Sequence, residues 1–305
     1  MISGILLLDK PLGVSSNAAL QRVRRLLRAD KAGHVGSLDP LATGMLPICL
    51  GEATKIAGDI LSGQKRYRFT VALGERTTTG DVEGAVVETL PVPQFDDATL
   101  DVALERFRGR TTQIPPMYSA IKRDGQPLYK LARAGIEVER KPREIEITEL
   151  RVIARDLVLA GRDGAAGTTG LELEALCSKG TYIRVLAEDI AKALGTCGHV
   201  AKLRRLSVEP FDSGAMQTLD AVTAQAERGE PPTLIEPDLA IPHLPAVRLT
   251  VQGTARVVHG QAASVPPEVG PGRVRLYDAN GCFFGIGEAD GFGLVQPRRL
   301  FAAVD

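Results

Sequence analysis

Hydrophobic positions recur along the chain with the two periods that separate helix from strand. Residues 4–8 are a short apolar run that predicts a strand, and KPLGVSSN beyond it predicts a turn ending on helix-capping residues. In the next segment Leu20, Val23, Leu26 and Leu27 fall on one arc of a helix, while Arg22, Arg24, Arg25 and Arg28 fall on the other. KRYRFTVAL, residues 65–73, alternates with Tyr67, Phe69, Val71 and Leu73 on one face, the pattern of a half-buried strand. LELEALC, residues 171–177, alternates in the same way. SKG then turns the chain into a helix that buries Ile183, Leu186, Ile190 and Leu194 and stops at Gly195. These elements interleave without a regular βαβ rhythm and no internal repeat is visible, so the pattern predicts mixed α+β rather than a doubly wound sheet.

The texture changes late in the chain. GEPPTLIEPDLAIPHLPA, residues 229–246, is proline-rich and aperiodic, as linkers are. Beyond it come short strands with tight-turn signals at Asn280-Gly281 and Asp290-Gly291. The expected organisation is a domain over residues 1–235, a linker over 236–246 and a small all-β domain over 247–305.

Composition narrows the class. At 305 residues and 44% hydrophobic content the chain can bury a real core in one large domain or two unequal ones. No apolar run approaches the roughly 18 residues needed to cross a bilayer, and the N-terminus lacks the basic region and cleavage site of a leader. No membrane association is expected. Cys49, Cys177, Cys197 and Cys282 form no CxxC pair and the four histidines are dispersed, which points away from a metal site or disulfide framework and toward the cytoplasm. Net charge is zero, but the charges are segregated: residues 20–31, 122–143 and KLRRL at 202–206 are basic, and acids gather around 83–105. Such segregation lets a neutral protein present a phosphate-binding face.

One acid stands out. AGHVGSLDPLATGMLP, residues 32–47, contains the single carboxylate Asp39 among glycines. Asp-Pro commonly starts a helix, with Asp as cap and Pro in the first turn. Here Gly33 and Gly36 also allow backbone to approach a ligand, and Gly44 follows closely. Other aspartate chemistries fail on spacing. A phosphoaspartate site wants a second Asp where Leu41 stands, and an aspartic-protease loop wants Thr or Ser where Pro40 stands. SKGT at 178–181 lacks the upstream glycine of a P-loop.

The segment GHVGSLDPLATGMLPICLGEATK resembles the catalytic motif of bacterial tRNA pseudouridine(55) synthases, the TruB family. DKPLGVSSN, KRYRF, TTTGDVEG, QIPPMYSAIKRDGQPLY, CSKGTYIRVLAEDI and HVAKLRRL resemble that family's other motifs in the family's order. GIGEADGFGLVQPRRL resembles its small terminal domain, related to the PUA RNA-binding fold. The departures are Ser37, where a smaller residue is common, and the glycine-rich stretch 160–170, read as a lengthened surface hairpin.

The resemblance implies a pseudouridine synthase fold, a mixed and largely antiparallel central sheet with flanking helices, followed by the PUA-like domain. It implies isomerisation of uridine 55 in the tRNA T-loop by base flipping, without cofactor or metal. Asp39 is then the reacting carboxylate, Arg184 its pairing cation and Tyr67 the stacking tyrosine. His34, Tyr182, Leu203, Lys10, Pro11, Lys55 and Arg204 are the expected substrate-binding residues. His34 would fill space vacated in the tRNA loop, and Leu203 would wall the uracil pocket. An insertion over about 113–143 is expected to close on the RNA and to be poorly ordered without it. The partner is tRNA, through its T-loop and acceptor region, with the protein acting as a monomer and no obligate protein partner. Three other readings compete. An RNA-binding or tRNA-folding protein would need the grip but not the Asp39, Tyr67, Arg184 set. Against a uridine isomerase for another RNA, of the guide-dependent kind, stand the bacterial-looking insertion and the absence of extra basic tails. An RNA N-glycosidase would use a similar carboxylate and release the base.

Overall fold

The computed structural model describes residues 2–123, 125–160 and 167–301. Its centre is a nine-stranded sheet. Along the main path Gln217–Thr218, Gly4–Lys10, Ala42–Leu50, Gly198–Val208, Lys65–Leu73, Thr168–Cys177, Arg143–Leu159 and Gly109–Gln113 lie side by side, and Ala32–His34 pairs with Ala42–Leu50 off that path. Two of the pairings are parallel and the others antiparallel, so the sheet is mixed and mostly antiparallel. The apolar run at the N-terminus extends as a strand to Lys10, which pairs with Gly44. Its side chains are buried on both faces because Leu6 and Leu8 enter one apolar cluster and Ile5 and Leu7 another.

Lys65–Leu73 departs from the half-buried expectation. Phe69, Val71 and Leu73 are buried on one face as the alternation predicts, but Thr70 and Ala72 on the other face are buried too. The strand sits between Thr168–Cys177 and Gly198–Val208 in the middle of the sheet. In Thr168–Cys177 the alternation holds except at Glu174, which is 2% exposed and gathers Arg66, Arg68 and Arg151 around its carboxylate.

Four helices, Ser16–Leu26, Asp97–Glu105, Ile183–Ala193 and Leu219–Glu227, bury residues in the core on one face. Ser16–Leu26 starts where the Ser15 hydroxyl accepts from the Ala18 N–H at 3.2 Å, and packs Ala19, Leu20 and Val23 against Leu6, Leu8 and Leu46. Ile183–Ala193 packs Leu186, Ala187 and Ile190 against Val71, Leu171 and Leu173 and ends at Gly195, whose φ is +82°. Asp39-Pro40 starts no helix: the chain turns there from Ala32–His34 directly into Ala42–Leu50.

The C-terminal part is a five-stranded sheet with turns at both predicted dipeptides. It also carries the helix Val251–Val258, which the strand-rich texture hid because only Gly253 and Val257 of it are buried. The proline-rich stretch before it is packed. Ile5 and Ile235 exchange backbone hydrogen bonds at 2.9 and 2.8 Å, and Ala240, Ile241 and Leu244 join Ile5, Leu7 and Ile286 in one buried cluster. Within residues 113–143 lie the two-stranded pair Lys122–Arg123 and Gln126–Pro127 and the short helix Leu128–Arg133. Residues 161–166 of the glycine-rich hairpin lie outside the described residues.

Candidate active site

Asp39 is presented by a loop clamped from both sides. The Lys10 ammonium is fully buried and donates to the carbonyls of Pro11 at 2.9 Å, Val14 at 2.6 Å and Pro40 at 3.4 Å. The Gly13 N–H donates to the same Pro40 carbonyl at 2.8 Å. The Ser16 hydroxyl donates to the Leu38 carbonyl at 2.9 Å and accepts from the Leu38 N–H at 2.7 Å. The turn KPLGVSS thus fixes the residues on each side of Asp39.

The glycines have a different use from the one their sequence implied. A Cβ on Gly36, at φ +68°, would lie 3.1 Å from a guanidinium nitrogen of Arg205, and one on Gly44, at φ +98°, 2.1 Å from the Arg205 carbonyl oxygen. A Cβ on Gly33 would meet nothing within 4 Å. Two of the three glycines admit Arg205, a residue of this chain.

Arg184 lies in the first turn of its helix and is 5% exposed. Its Nε is 3.1 Å from Asp39 Oδ2, and one terminal nitrogen is 3.4 Å from Asp81 Oδ2. The terminal nitrogens also donate to the carbonyls of Thr79 at 2.8 Å and Tyr118 at 2.6 Å. Asp81 is itself buried, its Oδ1 accepting from the Thr79 hydroxyl at 2.6 Å and the Glu83 N–H at 3.0 Å. One arginine therefore joins the Asp39 loop, a buried acid and the 113–143 segment. Burial pushes the Asp39 carboxyl above the ordinary aspartate value; Arg184 and Lys10 pull it down and Asp81 pushes it up. Burial brings the Lys10 ammonium down to about 8 against the pull of Asp39.

Asp39, Tyr67, Tyr182, Arg184 and Leu203 line one cavity of about 350 Å³, within the range of small-ligand sites. Tyr67 faces it from the middle of the sheet, directly across from Arg205 on the next strand. Burial raises the Tyr67 phenol above its ordinary value and the Arg205 guanidinium opposes that rise. The Tyr182 backbone is held by both ends of the Gln113 amide, at 2.7 and 3.1 Å, where the 113–143 segment begins.

Five of the ten residues expected from sequence meet at this cavity. Lys10 stands behind the Asp39 loop and holds it through the Pro40 carbonyl, and Pro11 contributes only a carbonyl that accepts from Lys10. His34 ends a short strand opposite Ile48 with its Nδ1 buried and unpartnered, and burial lowers its pKa. Lys55 pairs with Glu52, donates to the Leu300 carbonyl at 2.6 Å and lies over the Phe301 ring, at the seam with the C-terminal sheet. Arg204 points to the opposite face of the sheet and grips Asp9 with two hydrogen bonds, at 2.9 and 2.8 Å.

Sequence reasoning missed Asp81, Lys65 and Arg205. Asp81 is the one acid inside TTTGD, a signal that was present. Lys65 lines the cavity while its ammonium donates to the Leu61 carbonyl at 2.6 Å, and burial lowers it to about 8. Arg205 shares a strand face with Leu203, so strand parity distinguishes it from Arg204. Among the described residues no three His, Cys, Asp or Glu side chains are placed to hold a metal ion.

Comparison with known proteins follows the same lines. Residues 24–183 match the family model for the N-terminal domain of TruB family pseudouridylate synthases. Residues 184–236 match the tRNA pseudouridylate synthase B C-terminal domain, and residues 245–301 the pseudouridine synthase II TruB C-terminal model. The tRNA pseudouridine synthase B of Stutzerimonas stutzeri is 48% identical over 303 residues, 98% of this chain and 95% of that protein. That of Sodalis glossinidius is 47% identical over 309 residues, 99% of this chain and 96% of that protein. The fold matches a solved H/ACA RNP bound to a substrate RNA containing 2'-deoxyuridine, with TM-score 0.70 at 20% identity, covering 98% of this chain and 85% of that one. It matches a Cbf5-Nop10-Gar1 complex with TM-score 0.70 at 23% identity and the same coverage. With matched models that succeed one another along the chain and relatives near half identity over its whole length, the chain belongs to the TruB family of pseudouridylate synthases.

Proposed function

We propose that this chain isomerises uridine 55 in the T-loop of tRNA, with Asp39 as the reacting carboxylate. It is a tRNA pseudouridine synthase, as both relatives above are named. The reaction breaks the N1–C1′ bond of a uridine, forms C1′–C5 in the same uracil, moves the C5 proton to solvent and returns a proton to N1. Nothing is oxidised or reduced. The observation that carries the reading is one half-exposed carboxylate at the cavity, held by a buried arginine and faced by a tyrosine.

The uridine leaves the stack of the T-loop at a cost of a few kcal/mol, offset by stacking on Tyr67 and by phosphate contacts. Leu203 bounds the pocket and Tyr182 stands at its rim. The 113–143 segment closes over the RNA. Its Lys122, Arg123, Arg140, Lys141 and Arg143 surround a second cavity of about 330 Å³ with one acid, Glu139, among them. The PUA-like C-terminal domain holds the acceptor region, and the enzyme acts as a cytoplasmic monomer. Carbodiimide labelling and primer extension on tRNA transcripts test the target position. Modification confined to position 55, and lost when that uridine is replaced by cytidine, is the expected result; modification elsewhere in the transcript contradicts the proposal.

A further inference from the structure

We propose that Arg205 is a positioning residue that sets the Asp39 loop and the Tyr67 phenol in register on either side of the cavity. The proposal rests on the reading of Asp39 and Tyr67 given above. Arg205 is 1% exposed and is the largest fully buried side chain among the described residues. A guanidinium without a carboxylate is costly to bury, yet none of the ion pairs among the described residues includes Arg205. Its donors go to backbone carbonyls: Met45 at 2.6 Å, Gly36 at 2.9 Å and Val35 at 3.4 Å.

Those carbonyls belong to the two ends of the loop that carries Asp39. The loop enters over the Arg205 guanidinium at Gly36 and leaves against the Arg205 backbone at Gly44, and neither approach leaves room for a Cβ. Asp39 hangs between two points resting on the same residue. Arg205 is also the direct cross-strand partner of Tyr67, on the face that lines the cavity. Side chains so paired lie about 5 Å apart at Cβ. Burial is the main influence on the pKa values of Lys10, His34, Lys65 and Tyr67, and the Arg205 charge acts on all four, adding to the fall of the first three and opposing the rise of the Tyr67 phenol. Packing alone needs no such charge. A planar fork serves carbonyls at both ends of the loop at once while its residue lies across from Tyr67, and a single lysine ammonium does not span both loop ends.

The test uses Arg205→Gln and Arg205→Lys in the full chain, with circular dichroism confirming the fold. Three quantities are read: the single-turnover rate on tRNA, the tRNA dissociation constant, and the NMR resonances of Cζ-labelled tyrosines, with Tyr67 assigned by its absence in Tyr67→Phe. Arg205→Gln is expected to slow the single turnover about 100-fold with tRNA affinity within about threefold, because a displacement near 1 Å costs about that much. Arg205→Lys recovers part of the rate. In both variants the Tyr67 resonance shifts while the other tyrosine resonances stay in place. Rates within about threefold of the parent in both variants would overturn the proposal. So would an unmoved Tyr67 resonance, or a reduced amplitude at unchanged rate, the mark of a merely structural residue. Asp39→Asn run in parallel keeps the two readings apart. If that variant is fully active the site reading fails, while the Tyr67 resonance still decides the placement made by Arg205.

Discussion

The surroundings of Asp39 disfavour its charged form. Burial and the Asp81 carboxylate raise its pKa, and Arg184 and Lys10 only partly reverse that. A required carboxylate with a raised pKa loses activity at a higher pH than a free aspartate would as acid is added. The acid limb of the single-turnover pH profile should therefore lie above 3.8, and Asp81→Asn should move it down. A limb at or below the free value contradicts this. The same shift has a stability sign. A folded-state pKa above the unfolded one means that the charged form costs stability above the unfolded value, and protonation relieves the cost as pH falls. Asp39→Asn should thus melt no lower than the parent at pH 7, by calorimetry, while losing activity. At this scale the sequence was readable where a residue type is rare in its setting, as Asp39 is. It was misread where two neighbours share a type: Arg204 and Arg205 differ only in which face of the strand they take, and the parity with Leu203 that separates them is easily passed over between two adjacent arginines.

The strands Ala42–Leu50 and Gly198–Val208 run parallel and close where Gly44 meets Arg205. Gly44→Ala would force a Cβ to 2.1 Å from a carbonyl oxygen at a φ of +98°, and should cost several kcal/mol in urea unfolding. Gly33→Ala meets nothing within 4 Å and should stay within about 0.5 kcal/mol of the parent. Equal costs would mean that the loop does not rest on Arg205. The existence and type of long elements were legible because period survives in the sequence, as in the helices Ser16–Leu26 and Ile183–Ala193. Burial of both faces of Lys65–Leu73 was not, since it depends on what packs above and below the sheet, which is far away in sequence. The burial of Glu174 likewise depends on three arginines from two other strands.

The nine-stranded and five-stranded sheets share a buried seam. Ile286 packs with Ile5 and Leu7, Phe283 and Phe301 pack against that cluster, and Arg273 holds Asp59 across it at 2.6 and 3.2 Å. The protein should therefore unfold in one transition, and Ile286→Ala should lower all of it by about 2–5 kcal/mol. Two separate transitions, with only one shifted, would contradict a shared core. The proline-rich stretch 229–246 read as a linker because it lacks period, yet apolar residues without period can still fill a seam. Charge acts over the whole molecule too. If the cations of the 113–143 segment meet phosphates, replacing Lys122, Lys141 and Arg143 by glutamine should flatten the log–log salt dependence of tRNA binding by about 0.7–0.9 per cation. An unchanged slope would place the RNA elsewhere.

The most direct test of the account is release of tritium from C5 of the uridines of a labelled tRNA, by the parent enzyme and by Asp39→Asn. The new carbon–carbon bond expels that label into water. The account predicts about one equivalent released per tRNA by the parent and none by Asp39→Asn, with tRNA binding retained. Equal release by the two proteins would contradict it and move the chemistry away from Asp39.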